Sequence, residues 1–191
     1  MPSSAREILD FWFSERSEPL WYEKNAAFDD EIRRRFGAAV AAASAGELDG
    51  WLTAPDPSLA LTILLDQFPR NVFRGTPRAF ACDGKARAVA DAAIARGFDR
   101  QVALARRYFF YLPFEHSEDP ADQRRSLALF RAWADSHDGR ARDSAAEILS
   151  YALRHQEVIE RFGRFPHRNT ILGRESTPAE TAFLQDPKSS F

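Results

Sequence analysis

Apolar residues recur along this chain at three- and four-residue spacing, the period of an amphipathic helix. Behind Ser3 and Ser4, residues Ile8, Leu9, Phe11, Trp12 and Phe13 make an aromatic first helix. Glu7 is placed for a capping box, and Pro19 stands as the stop. Phe28, Ile32, Phe36, Ala39, Val40 and Ala43 trace the inner stripe of a second helix. Its other face, with Asp29, Asp30, Glu31, Arg33, Arg34 and Arg35, reads as solvated. Residues 58–68 are apolar nearly all round and predict a central buried helix ended by Pro69.

Asp83 is placed to cap a helix over 85–96, whose stripe is rich in alanine and whose end meets Gly97. A helix over 100–112 ends in Tyr108, Phe109, Phe110 and Tyr111 before Pro113. Asp119 and Pro120 open another, with Gln123, Leu127, Phe130 and Trp133 turned inward. After a polar turn at 138–142, Asp143 or Ser144 starts a long helix to about Phe162. Thr177, Pro178, Ala179 and Glu180 form a capping box for a short last helix. No segment alternates as a strand would. The expected architecture is all-α: seven to eight antiparallel helices in one domain over 1–191.

Composition narrows the class. With 45% hydrophobic and 28% charged residues the chain is an ordinary soluble globular protein. A net charge of -2 gives no electrostatic footprint for nucleic acid. No apolar run is long enough for a membrane, and acidic residues interrupt the start where a leader peptide needs an apolar core. A cytoplasmic protein is expected. The single cysteine, Cys82, excludes an intrachain disulfide and is expected as a small core residue.

Candidate chemistry gathers in three polar clusters. Residues 161–174 set Arg161, Arg164, Arg168 and Arg174, with His167 and Asn169, among Phe162, Phe165, Ile171 and Leu172. Such charges require carboxylates or a bound anion if they are drawn inward. The second cluster supplies Asp66, Gln67, Arg70, Asn71 and Arg74; the third supplies Glu115, His116, Ser117, Glu118 and Asp119. His155 falls on the apolar face of the long helix and must bond within the protein. One reading is a structural network of arginines, Asp66 and Glu118, with His155 on a backbone carbonyl. The sharper reading is a pocket for a small anionic ligand, phosphate or carboxylate, suited to the arginine fork. Asp66, Arg70, Arg74, Glu118, His155, Arg164, Arg168, Asn169 and Arg174 would form that pocket, and His116 or His167 would carry protons.

A metal or other cofactor is not expected. His116, Glu118, His155 and His167 are scattered, match no spaced ligand motif, and lie near repelling arginines. Ser117, His116 and Asp66 lack the turn that aims a catalytic triad. His137, between Asp135 and Asp138, reads as solvated.

Four stretches carry a resemblance: ILDFWF at 8–13, LLDQFPRNVFRGTPRAFACD at 64–83, FFYLPFEHSEDPADQ at 109–123, and HQEVIERFGRFPHRNTILGRESTPAE at 155–180. With them the chain resembles the bacterial DUF924 family, a domain of unknown function. The resemblance implies an all-helical fold of tetratricopeptide-like helix pairs and carries no catalytic residues with it. It also frames an alternative from another class, an interaction module whose groove accepts a peptide or protein partner. The aromatic residues Trp12, Trp21, Phe109 and Tyr111 are candidates for a homodimer face.

Overall fold

The computed structural model describes residues 3–186 and 189. Met1 and Pro2, where the leader-peptide expectation begins, and the last part of the 1–191 domain span lie outside the described residues. The chain forms two compact units, Met1–Pro113 and Phe114–Phe191. No strand occurs among the described residues, as the helical period predicts.

The first unit contains α1 (Ala5–Trp12), α2 (Ala26–Ala45), α3 (Pro55–Val72), α4 (Asp83–Ala95) and the single turn α5 (Leu104–Arg107). Ser4 and Glu7 close the expected capping box on α1, which ends at Phe13, well before Pro19. Helix α2 is capped by Asn25 and ends at Gly46, whose φ of 88° fits a glycine C-cap. Helix α3 is the hub, packing on α1, α2 and α4. Its Leu59, Leu61, Ile63, Leu64, Leu65 and Phe68 are wholly buried. Phe11, Trp12, Phe36 and Phe68 interlock there, with ring centroids 4.9–6.4 Å apart between contacting pairs. Trp12, Phe109 and Tyr111 are therefore core residues, not a surface.

Four local expectations change in this unit. Pro69 does not end α3, which runs on to Val72. A proline inside a helix costs about 3 kcal/mol. Burial of residues such as Phe68 and Val72 offsets this at roughly 1.5–3 kcal/mol each. Arg33 also donates from Nε and Nη2 to the last carbonyl, Val72 O, at 3.2 and 3.1 Å. The helix expected over 100–112 is broken into short turns, Asp99–Gln101, α5, Tyr108–Phe110 and α6 (Leu112–Glu115). Tyr108 to Leu112 are all buried, and one α-helical face cannot bury five consecutive side chains on one stripe. Cys82, half-buried, occupies the cap position of α4, while Asp83 turns to Arg70. Asp29 is not solvated: it is buried, accepting from Asn71 Nδ2 at 2.8 Å and from Arg74 Nε at 2.6 Å.

The second unit contains α7 (Pro120–Ala134), α8 (Gly139–Phe162) and α9 (Pro178–Phe183), with α7 and α8 packed together. Asp119 caps α7 and the box of Thr177 and Glu180 caps α9, both as expected. Helix α8 starts earlier than expected, with Asp138 as its cap position, so the polar turn at 138–142 is its first turn. His137 is buried, its Nδ1 2.9 Å from Trp133 O and its ring 4.5 Å from that of Trp133. Flanking acids made it look exposed; bonding one turn back along α7 draws it in.

Asp29 and Asp30 are neighbours of the same type in very different surroundings. Asp29→Ala leaves Asn71 and Arg74 without their acceptor and should cost about 2–4 kcal/mol. Asp30→Ala, at an exposed position, should fall within about 0.5 kcal/mol of the parent. Urea unfolding of both variants checks this, and equal losses would refute the buried role of Asp29.

Candidate functional site

The second unit folds its late arginines onto two acids. Helix α8 ends at Gly163, whose φ of 67° lets the chain reverse without a Cβ penalty. The reversal drives Phe165 into a core with Val158 and Ile159. Glu118 then takes the segment from two directions. Its Oε1 accepts from Phe165 N at 2.8 Å, and both its oxygens accept from Arg174 at 2.7 and 2.9 Å. Arg174 also donates to Phe165 O and to Asn169 Oδ1, and Asn169 Nδ2 reaches Ser176 Oγ. Burial opposes the charge on Glu118, but the Arg174 and Phe165 bonds outweigh it and hold its carboxyl below the usual range.

Arg164 makes a second fork, from Nε and Nη2 to Glu180 at 2.6 and 2.8 Å, and also reaches Glu175 O. Glu180 is only 2% exposed and returns a bond to Thr177 N. The Arg164 hydrogen bonds lower its pKa most; burial works against them, and Thr177 and the Arg164 charge add to the drop, bringing it to about 2.

Beside this frame lies a cluster of basic groups. His155, buried on α8 as its spacing requires, has Nδ1 2.8 Å from Tyr151 O and 3.3 Å from Glu115 Oε1. Its ring centroid is 6.1 Å from that of His116 and 5.5 Å from that of Phe165. His167 stands against the same Phe165 ring at 5.6 Å, and the Arg168 guanidinium lies over it at 4.6 Å. Arg168, itself buried, donates to His116 O at 3.0 Å. Burial pushes the His155 pKa well below the ordinary histidine value, and the charges of His116, His167 and Arg168 push the same way. The hydrogen bond to Tyr151 O favours the imidazolium but does not outweigh them, so His155 is neutral near pH 7.

Gln123, predicted on the inner stripe of α7, fixes the turn that bears His116. Its Nε2 donates at 2.6 Å to both Glu115 O and Ser117 O. Ser117 Oγ donates to Asp122 rather than to a histidine, which removes the paper triad.

The remaining candidates, Asp66, Arg70 and Arg74, lie in the first unit, where each meets a partner of opposite charge. Arg70 bonds both oxygens of Asp83 at 3.0 and 3.2 Å and lies 3.6 Å from Asp66. Asp66 also accepts from Gln67, and Arg74 pairs with Asp29. The polar clusters read from sequence do not include Asp29, Asp83 or Glu180, while Glu115 stands in the third cluster beside Glu118. Glu180 was legible only as a cap. Of the groups able to hold a metal, Glu115, His116 and His155 each offer an atom, and these atoms all lie within 4.8 Å of one another.

Comparison with known proteins places this arrangement among relatives. Residues 8–188 match a family described as "Bacterial protein of unknown function (DUF924)". The "Structure of Protein of Unknown Function ATU0120 from Agrobacterium tumefaciens" is similar with a TM-score of 0.85 and 48% identity, covering 95% of this chain and 96% of that one. No curated protein matches.

The Glu180 ion pair sets a pH dependence. Its carboxyl titrates near 4.5 when unfolded and at about 2 when folded, so its contribution is full above pH 5 and is lost as pH falls toward 2. Glu180→Gln should therefore be less stable than the parent at pH 6 and lose less on acidification to pH 3. Parallel curves of urea midpoint against pH would refute this.

Proposed function

Because the chain belongs to the bacterial DUF924 family of proteins of unknown function, with nothing catalytic to borrow, we propose from its own residues that it binds a small anionic ligand beside His116, His167 and Arg168. The observation that carries this reading is the convergence of His116, His167 and Arg168 on the buried imidazole of His155. Two imidazoles and a guanidinium gathered on one margin offer N–H donors and a positive potential that suit a phosphate or carboxylate. His116 and His167 are half-buried, which lets them meet both a ligand and solvent. Either can carry a proton to a bound anion. Arg70, Arg74, Arg164 and Arg174 already face carboxylates, so they serve the fold and the frame of the site.

A second reading, a tetratricopeptide-like interaction module, draws support from the way consecutive helices pack: α2 on α3, α3 on α4, and α7 on α8. That support is analogy of architecture and names no partner.

Inorganic phosphate tests the first reading against chloride at equal ionic strength. At ten times its Kd, phosphate should raise the melting temperature by about 3–6 °C. Arg168→Met keeps the apolar contact with Phe165 and should abolish the response while the circular dichroism stays that of the parent. A parent that ignores phosphate, or a variant that responds equally, would sink the proposal.

A further inference from the structure

We propose that Glu115, His116 and His155 form a binding site for a divalent transition-metal ion of the zinc class. Two imidazoles and one carboxylate are a ligand set that zinc takes in sites with an open position, and the same set suits related first-row ions. One ligand atom from each residue already lies within 4.8 Å of the others. Around a tetrahedral zinc, ligand atoms sit roughly 3.3 Å apart, so no separation has to close by more than about 1.5 Å. His116 is half-buried and the least enclosed of the three, whereas His155 and Glu115 are buried.

The surroundings resemble the outer shell that metal-binding residues require. His155 places Nδ1 2.8 Å from Tyr151 O and 3.3 Å from Glu115 Oε1, which holds the ring from that side. A backbone carbonyl in this role orients a coordinating histidine. The turn carrying Glu115 and His116 is pinned by Gln123 through Glu115 O and Ser117 O, and by Arg168 through His116 O. The spacing of these residues in sequence gives no metal motif, because two come from one turn and the third from the middle of α8.

Charge identifies what completes the coordination. A divalent cation with one carboxylate keeps a positive charge, and the nearby Arg168 adds another. A phosphate dianion with one oxygen in the open position balances them. The metal site rests on the anion-binding proposal for that fourth ligand alone.

Full-length protein without an affinity tag, stripped with chelator and dialysed, tests this by calorimetric titration with zinc chloride and with magnesium chloride. Zinc should bind one ion per chain and raise the melting temperature, whereas magnesium should do neither. His116→Ala and Glu115→Gln should each weaken zinc binding by about 100-fold, the upper end of the loss from removing outer partners alone. His155→Ala removes a buried group and risks unfolding, so the half-buried His116 is the deciding position. No zinc uptake by the parent, or parent-like uptake by both variants, overturns the metal site. Phosphate stabilisation that persists in the stripped protein and depends on Arg168 leaves the anion proposal standing if zinc fails. Zinc binding without any phosphate response does the reverse.

Discussion

The second unit depends on one carboxylate that meets two obligations at once. Glu118 satisfies the guanidinium of Arg174 and the backbone N–H of Phe165. Either group left buried without an acceptor would be costly, since an unmet donor forfeits its water without compensation. Through that shared acceptor the chain after α8 is held as a tight reversal, with Phe165 seated on Val158 and Ile159. Phe165 in turn supplies the ring against which His155, His167 and Arg168 are ranged. The basic cluster is a consequence of how this one acid is spent.

The same economy recurs in the first unit. Asp29 answers Asn71 and Arg74, and Asp83 answers Arg70. In each case an arginine near the end of α3 meets an acid from another helix. The helix passes Pro69 and finishes with its last carbonyl held by Arg33. Arginine suits these positions because its fork can hold a carboxylate with two bonds while its stem covers apolar surface. These pairs explain why a chain so rich in arginine can bring many of them inward.

Arg164 and Arg174 are committed to Glu180 and Glu118. His116 and His167 sit at a half-buried margin around a neutral His155. A cluster of this kind has two chemical outlets, an anion that lowers the positive potential or a metal that uses the imidazole lone pairs. The two are compatible when a metal-bound anion faces Arg168.

Helix positions, capping boxes and the buried face of α8 were legible in sequence because they follow from spacing along one chain. The period marked α2 and α3, Ser4 with Glu7 and Thr177 with Glu180 marked starts, and the stripe through Ala152 and Ile159 placed His155 inside. What spacing cannot contain is the identity of partners from elsewhere. It gave Asp29 to solvent, since only the fold brings Arg74 to it, and it gave Glu180 a cap's role, since only the fold brings Arg164. The break at 100–112 and the continuation of α3 beyond Pro69 have the same origin, with tertiary burial outweighing local preference. The chain alone therefore determined an all-helical protein and the residue types of its candidate site. Only tertiary structure decided which charge meets which partner, because electrostatic and hydrogen-bond energies depend on distances between segments remote in sequence.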